Sequence, residues 1–88
     1  MNKEYLEQKG WKFSYEFDNE LHFEKGDVWK DDGMGAFLYF NIKDNKLRIV
    51  TTDVGFNMDG PNCSPKFNGY CEDTETFELI CKLIRLKI

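Results

Sequence analysis

Trp11-Lys12-Phe13-Ser14-Tyr15-Glu16-Phe17-Asp18 decides the fold class, because its aromatic residues recur at every second position with polar residues between them. Side chains alternate between faces only in an extended chain, so this period of two predicts a β-strand with one apolar face. Leu21 and Phe23 continue the apolar series, with Glu20, His22 and Glu24 between them, so the two segments read as a hairpin. A three-residue connection, Asp18-Asn19-Glu20, would set Phe17 against Leu21 and Tyr15 against Phe23, whereas a two-residue turn would set apolar against polar residues. The sequence therefore favours the odd loop, with His22 across from Glu16 on the polar face.

Working outward, 26–35 holds three glycines and three aspartates and reads as a loop. Residues 36–43 and 46–52 form a second expected hairpin around Asp44-Asn45, a pair that tolerates the positive φ of a tight turn. That register would pair Phe40 with Ile49, Ile42 with Leu47 and Leu38 with Thr51. Phe37, Tyr39 and Val50 share the other face with Asn41 and Arg48, leaving it half polar. Residues 53–70, rich in Gly, Asn, Asp and Pro, read as a long loop that nevertheless carries Phe56, Met58, Phe67 and Tyr70.

Helices close the chain at both ends. Asn2 is placed to cap a short helix running to residues 7–9, with Met1 and Leu6 as a hydrophobic staple and Gly10 as its stop. At the other end Asp73 or Thr74 caps a helix with Phe77, Ile80, Ile84 and Ile88 on one stripe, Glu75 and Glu78 early, and Lys82, Arg85 and Lys87 late, as the helix dipole favours. The expected architecture is thus a single α+β domain spanning 1–88: a short N-terminal helix, a four-stranded antiparallel sheet of two hairpins, a long loop, and a C-terminal amphipathic helix packed on the sheet. The expected core is Phe13, Tyr15, Phe23, Leu38, Phe40, Ile49, Phe77, Ile80 and Ile84.

A chain of 88 residues buries only about 60–65% of the surface its unfolded form exposes. Its 16% aromatic content compensates, since each ring removes about 150–250 Å² from water. No apolar run approaches the roughly 20 residues of a membrane span, and the first residues lack the apolar core of a signal peptide, so a cytoplasmic location with no membrane partner is expected. Cys63, Cys71 and Cys81 are odd in number and lack a C-x-x-C spacing, which points to reduced thiols. With His22 they equal a four-ligand zinc set in number, but not in spacing, and the acidic surroundings disfavour an activated thiol. No cofactor and no metal site is expected, and the carboxylate and glycine clusters lack the spacing of calcium or phosphate loops.

Charge is distributed unevenly. The net charge of −4 comes from five lysines against nine acidic residues up to Gly35, followed by seven basic and seven acidic residues. Lacking Lys and Arg clusters, the chain is not expected to bind nucleic acid directly. The inverse is expected: Glu16 and Asp18 at two-residue spacing, about 6.6–6.8 Å, with Glu20 and Glu24 across the hairpin, would present phosphate-like charges to a basic protein surface. Phe56, Met58 and Phe67 are candidate apolar anchors for the same partner.

In size, in the acidic hairpin Glu16, Asp18, Glu20 and Glu24, and in the aromatic-bearing segment 53–70, the chain resembles the short acidic proteins that phages and mobile elements encode to block host defence, anti-CRISPR proteins among them. The resemblance is one of format, without a family motif, and no functional residue is carried over from it. It implies a non-catalytic, protein-binding inhibitor of a nucleic-acid-handling effector. A toxin-neutralising immunity protein, a small thiol- or metal-dependent enzyme using Cys63, Cys71 and His22, and an assembly protein that self-associates through its half-apolar sheet face are the alternatives.

Overall fold

The computed structural model describes residues 1–26, 35–57 and 60–86, with 53–57 and 60–63 described by their backbone alone. The order is α1 (Lys3–Gln8), β1 (Lys12–Phe17), β2 (Glu20–Gly26), β3 (Gly35–Asn41), β4 (Lys46–Asn57), β5 (Gly60–Tyr70) and α2 (Thr74–Leu83). All five strands join one sheet in sequence order, β1-β2-β3-β4-β5, each antiparallel to its neighbour. The α+β class is as expected; the described residues form five strands, where four are expected from the sequence.

The extra strand comes from the segment read as a long loop. β4 continues to Asn57 and β5 returns beside it, with Asn57 opposite Gly60 and Ile49 opposite Phe67. Residues poor in strand propensity are accommodated because β5 lies at the sheet edge, where the missing N–H groups of Pro61 and Pro65 need cost no ladder bond. An irregularity between Ile49 and Val50 absorbs one extra residue of β5. Met58 lies outside the described residues, as do 27–34.

The first hairpin departs from the expected register. Its turn has two residues, Asp18 (φ 51°) and Asn19 (φ 66°), both in the left-handed region that a type I′ turn requires. Phe17 therefore faces Glu20, Glu16 faces Leu21 and Tyr15 faces His22. The mismatch of apolar against polar residues that this register creates is corrected by a bulge at Ser14, beyond which Phe13 faces Phe23. Phe13 consequently packs against the core, while Tyr15 (53% exposed) and Phe17 (73% exposed) point the other way, contrary to the apolar face expected for both and to the core position expected for Tyr15.

The second hairpin is shifted by two residues from the expected pairing: Leu38 faces Ile49, Phe40 faces Leu47 and Ala36 faces Thr51. Its loop, residues 42–45, is held by the Asn41 side chain, whose Oδ1 accepts from the N–H groups of Lys43 (2.9 Å) and Asp44 (3.2 Å), and by Asn45 at φ 61°. A shift of two leaves the inward face unchanged, because strand side chains repeat every two residues. Only Ile42 loses its place, and it is exposed.

One face of the sheet carries the core. Leu21, Phe23, Leu38, Phe40, Leu47 and Ile49 are buried together with Leu6 of α1, Trp11, Cys71, and Phe77 and Ile80 of α2. Both helices end in the same motif. In α1 the N–H groups of Gly10 and Trp11 reach back to the carbonyls of Glu7 and Leu6; in α2 those of Arg85 and Leu86 reach Lys82 and Cys81. α2 thus stops at Leu83 rather than running on to residue 88. Ile84 and Leu86 pack partly on the core, whereas Leu79 and Leu83 are exposed. α1 is only six residues long and depends on docking. Its Tyr5 meets Phe77 edge-to-face at 6.0 Å, and Glu78 accepts from Lys9 (2.8 Å) and from the Tyr5 hydroxyl (3.2 Å).

Candidate functional site

The face of the sheet away from the helices holds an unusual row. At one level across all five strands stand Tyr15, His22, Tyr39, Arg48 and Asn68, each opposite the next. Tyr15 stacks on His22 (4.2 Å, 21°), His22 meets Tyr39 edge-on (4.7 Å), and the Arg48 guanidinium lies 4.4 Å above the Tyr39 ring. Cross-strand neighbours on one face are spaced closely enough for such contacts. The next level comprises Phe17, Glu20 and Asn41, with Lys46 opposite Tyr70 one step from Arg48. Glu20 bonds the Nε2 of His22 at 2.9 Å.

Two hollows indent this face on either side of Tyr39. A polar one of about 250 Å³ is lined by Glu20, Tyr39, Lys46, Arg48 and Asn68. A more aromatic one of about 270 Å³ includes Tyr15, His22, Phe37 and Tyr39. No helix among the described residues packs on this face, and Tyr15, Phe17 and Tyr70 keep more than half their surface in water. A third hollow, about 210 Å³, lies on the helix side between Tyr5, Lys9, Trp11, Lys25 and Cys81, where Lys25 is committed to the carbonyl of Lys9 (2.9 Å) and to the Trp11 ring (5.4 Å).

The residues expected to form an acidic comb are separated by the register. Glu16 stands opposite Leu21, on the helix side, and is exposed. Asp18 sits in the turn rather than on a strand. Glu20 and Glu24 occupy the open face, where Glu24 lies between Lys12 and Phe37. The common face expected for Glu16 and Asp18 with Glu20 and Glu24 is therefore not formed, since one residue less in the turn moves each strand position to the opposite side. Phe67 packs against the core from β5, opposite Ile49. Phe56 is described by backbone alone, opposite Pro61.

The thiols of Cys71 and Cys81 do not meet the imidazole. Cys71 is buried among core residues on the helix side and His22 is on the open face, with the sheet between them. Burial pushes the Cys71 thiol up, with Asp73 adding to the effect, and burial likewise raises Cys81. Both are the reverse of an activated thiolate. Cys63 is opposite Thr52 on β5, so eight residues of extended chain, roughly 25 Å, separate it from Cys71, far beyond disulfide reach. Among the described residues no three His, Cys, Asp or Glu side chains gather as a metal site, and no helix is long and apolar enough to cross a membrane.

Comparison with family models, with curated proteins and with solved structures finds no match for this chain.

Sequence reasoning placed Phe37, Tyr39, Asn41 and Arg48 together on a half-polar face but missed Tyr15, Phe17, Asn68 and Tyr70 as members of it. The signal for the first two was Asp18-Asn19, a pair suited to a two-residue turn. For the last two it was the odd-even pattern Phe67-Asn68-Gly69-Tyr70.

Proposed function

We propose that this protein is non-catalytic and acts by binding protein, with the open face of its sheet as the docking surface. The observation that carries the reading is the exposure of Tyr15, Phe17 and Tyr70 (53%, 73% and 69%) around the Tyr39–Arg48 pair. Tyr and Arg in clustered, semi-rigid positions are the residues that most often carry binding energy at protein interfaces. The cross-strand stacking holds Tyr15, Tyr39 and Arg48 in place before a partner arrives, which lowers the ordering cost of association.

The narrower reading is an inhibitor that meets a basic surface of a nucleic-acid-handling effector, as anti-CRISPR proteins do. What supports it is the exposed pair Glu16 and Asp18 at the end of the β1–β2 hairpin, in a chain of net charge −4. These carboxylates would steer approach over a distance of about 8–10 Å at ordinary salt.

A photo-crosslinking residue placed at Phe17 or Tyr70, with Leu83 of α2 as control, tests the docking surface in lysate of the native host. Protein adducts from the sheet positions and none from Leu83 are expected; adducts from Leu83 alone would overturn the reading. Neutralising Glu16 and Asp18 should slow association with the captured protein and flatten its salt dependence. An unchanged rate would remove the effector reading.

A further inference from the structure

We infer that the partner of the open sheet face is a second copy of this chain, docked face to face about a two-fold axis running along β3. The inference rests on the reading of that face as a docking surface and names its occupant.

Its basis is the order of charges across the face. β2 contributes Glu20 and Glu24, the latter opposite Lys12 of β1, β4 contributes Lys46 and Arg48, and β3 between them contributes Phe37, Tyr39 and Asn41. A polyanion laid on this face would meet the carboxylates of β2, and a basic surface would meet the cations of β4. The surface it matches is one with the same charges in mirrored lateral order. A two-fold axis along the central strand produces that order from the face itself, because it sets β2 of one copy over β4 of the other and leaves each residue at its own level along the strand.

The register then fixes the contacts. Glu20 is opposite Asn41, and Lys46 is level with Asn41 because Arg48 is opposite Tyr39 two residues along. Glu20 therefore lies over Lys46 of the second copy, twice by symmetry. Tyr39 lies over its own counterpart. Phe17 and Tyr70, at the same level on the two edge strands, lie over one another, so the two most exposed aromatics of the face cover each other. His22 meets Arg48, with Glu20 at 2.9 Å offsetting the positive charge there. Stacked sheets lie about 10 Å apart, a gap that Glu and Lys side chains span from the two sides. Five strands by three levels make a face of roughly 24 by 20 Å, which places the complex among the smaller, weaker interfaces. The same axis leaves both β1–β2 hairpin ends, with Glu16 and Asp18, at one end of the dimer.

Sedimentation velocity of the whole chain across about 1–500 µM tests this, with circular dichroism as the folding control. The wild type should pass from monomer to dimer within that range. Glu20→Lys and Lys46→Glu, each alone, should weaken the dimer about tenfold or more by opposing like charges. An equimolar mixture of the two variants, and the double variant, should each restore it to within about threefold, because every Glu20–Lys46 contact again joins opposite charges. A chain monomeric throughout, a dimer indifferent to both single swaps, or a loss that neither the mixture nor the double variant restores would each overturn the inference. A monomeric chain that still gives adducts to another protein from Phe17 or Tyr70 would leave the docking surface standing with a different occupant. Absence of both would remove the two readings together.

Discussion

Tyr15 stacks on His22 with ring centroids 4.2 Å apart, on the opposite side of the sheet from Phe13, its neighbour but one in the chain. In an unbroken strand the two would share a face. The bulge at Ser14 and the two-residue turn at Asp18-Asn19 separate them, and that separation makes the outer half of β1 part of a binding face rather than part of the core.

Tyr15→Ser should therefore cost less than about 1 kcal/mol in chemical denaturation, as a partly exposed side chain away from the core should. Phe23→Ala, across from Phe13 and almost fully buried, should cost about 3–5 kcal/mol, with Phe40→Ala in the same range. Equal losses at Tyr15 and Phe23 would mean that β1 keeps simple alternation in solution.

The two helix ends share one motif and carry different residues at its left-handed position: Gly10 (φ 92°) after α1 and Arg85 (φ 55°) after α2. A side chain in this region is strained by about 1 kcal/mol. Gly10→Ala should destabilise by about that amount, aided by the approach of its new Cβ to Lys25 Cε at 3.3 Å, whereas Arg85→Gly should stabilise by about 0.5–1 kcal/mol. Urea unfolding of the two variants provides the check, and opposite signs are the expected result.

Asp73 caps α2 by accepting from the Thr76 N–H at 2.7 Å, and hydrogen bonds from the Thr76 side chain first and its N–H second hold its carboxyl below the usual range; Glu78 is held low by Lys9 first and then by Tyr5. A depressed carboxyl adds stability that is complete above its unfolded pKa and is lost as pH falls through its lower folded pKa. Thermal melts should be flat near neutrality and fall in the acid range below about pH 4. Asp73→Asn, which keeps an acceptor but does not titrate, should reduce that acid dependence while retaining much of the neutral-pH stability. An unchanged acid limb in Asp73→Asn together with Glu78→Gln would show that other carboxylates dominate.

Cys71 and Cys81 should react more slowly with iodoacetamide at pH 8 in the folded chain than in denaturant, because burial raises both thiols, and Cys71, fully buried where Cys81 is half-buried, should be the slower of the two. Peptide mapping by mass spectrometry reads each site separately. Rapid native labelling of Cys71 would place it outside the core.

Local pattern determined much of this protein. Caps at Asn2 and Asp73, the stop at Gly10 after α1, and the inward faces of β2, β3, β4 and α2 all follow from residue spacing within a few positions, whereas the stop of α2 at Leu83 does not. The shift in the second hairpin shows why such faces are legible when register is not: a period of two is indifferent to a slip of two. A slip of one is not neutral, and in the first hairpin a turn shortened by one residue, corrected only at Ser14, reversed the sides of Tyr15, Glu16 and Phe17. Only tertiary structure decided β5. Its glycines and prolines argue against a strand, and it forms because β4 offers a long unpaired edge and Phe67 reaches the core across it. The candidate site depends on both of these decisions, since its row of side chains is assembled by five strands, and the pairings that align them are set by edges, bulges and packing between residues distant in the chain.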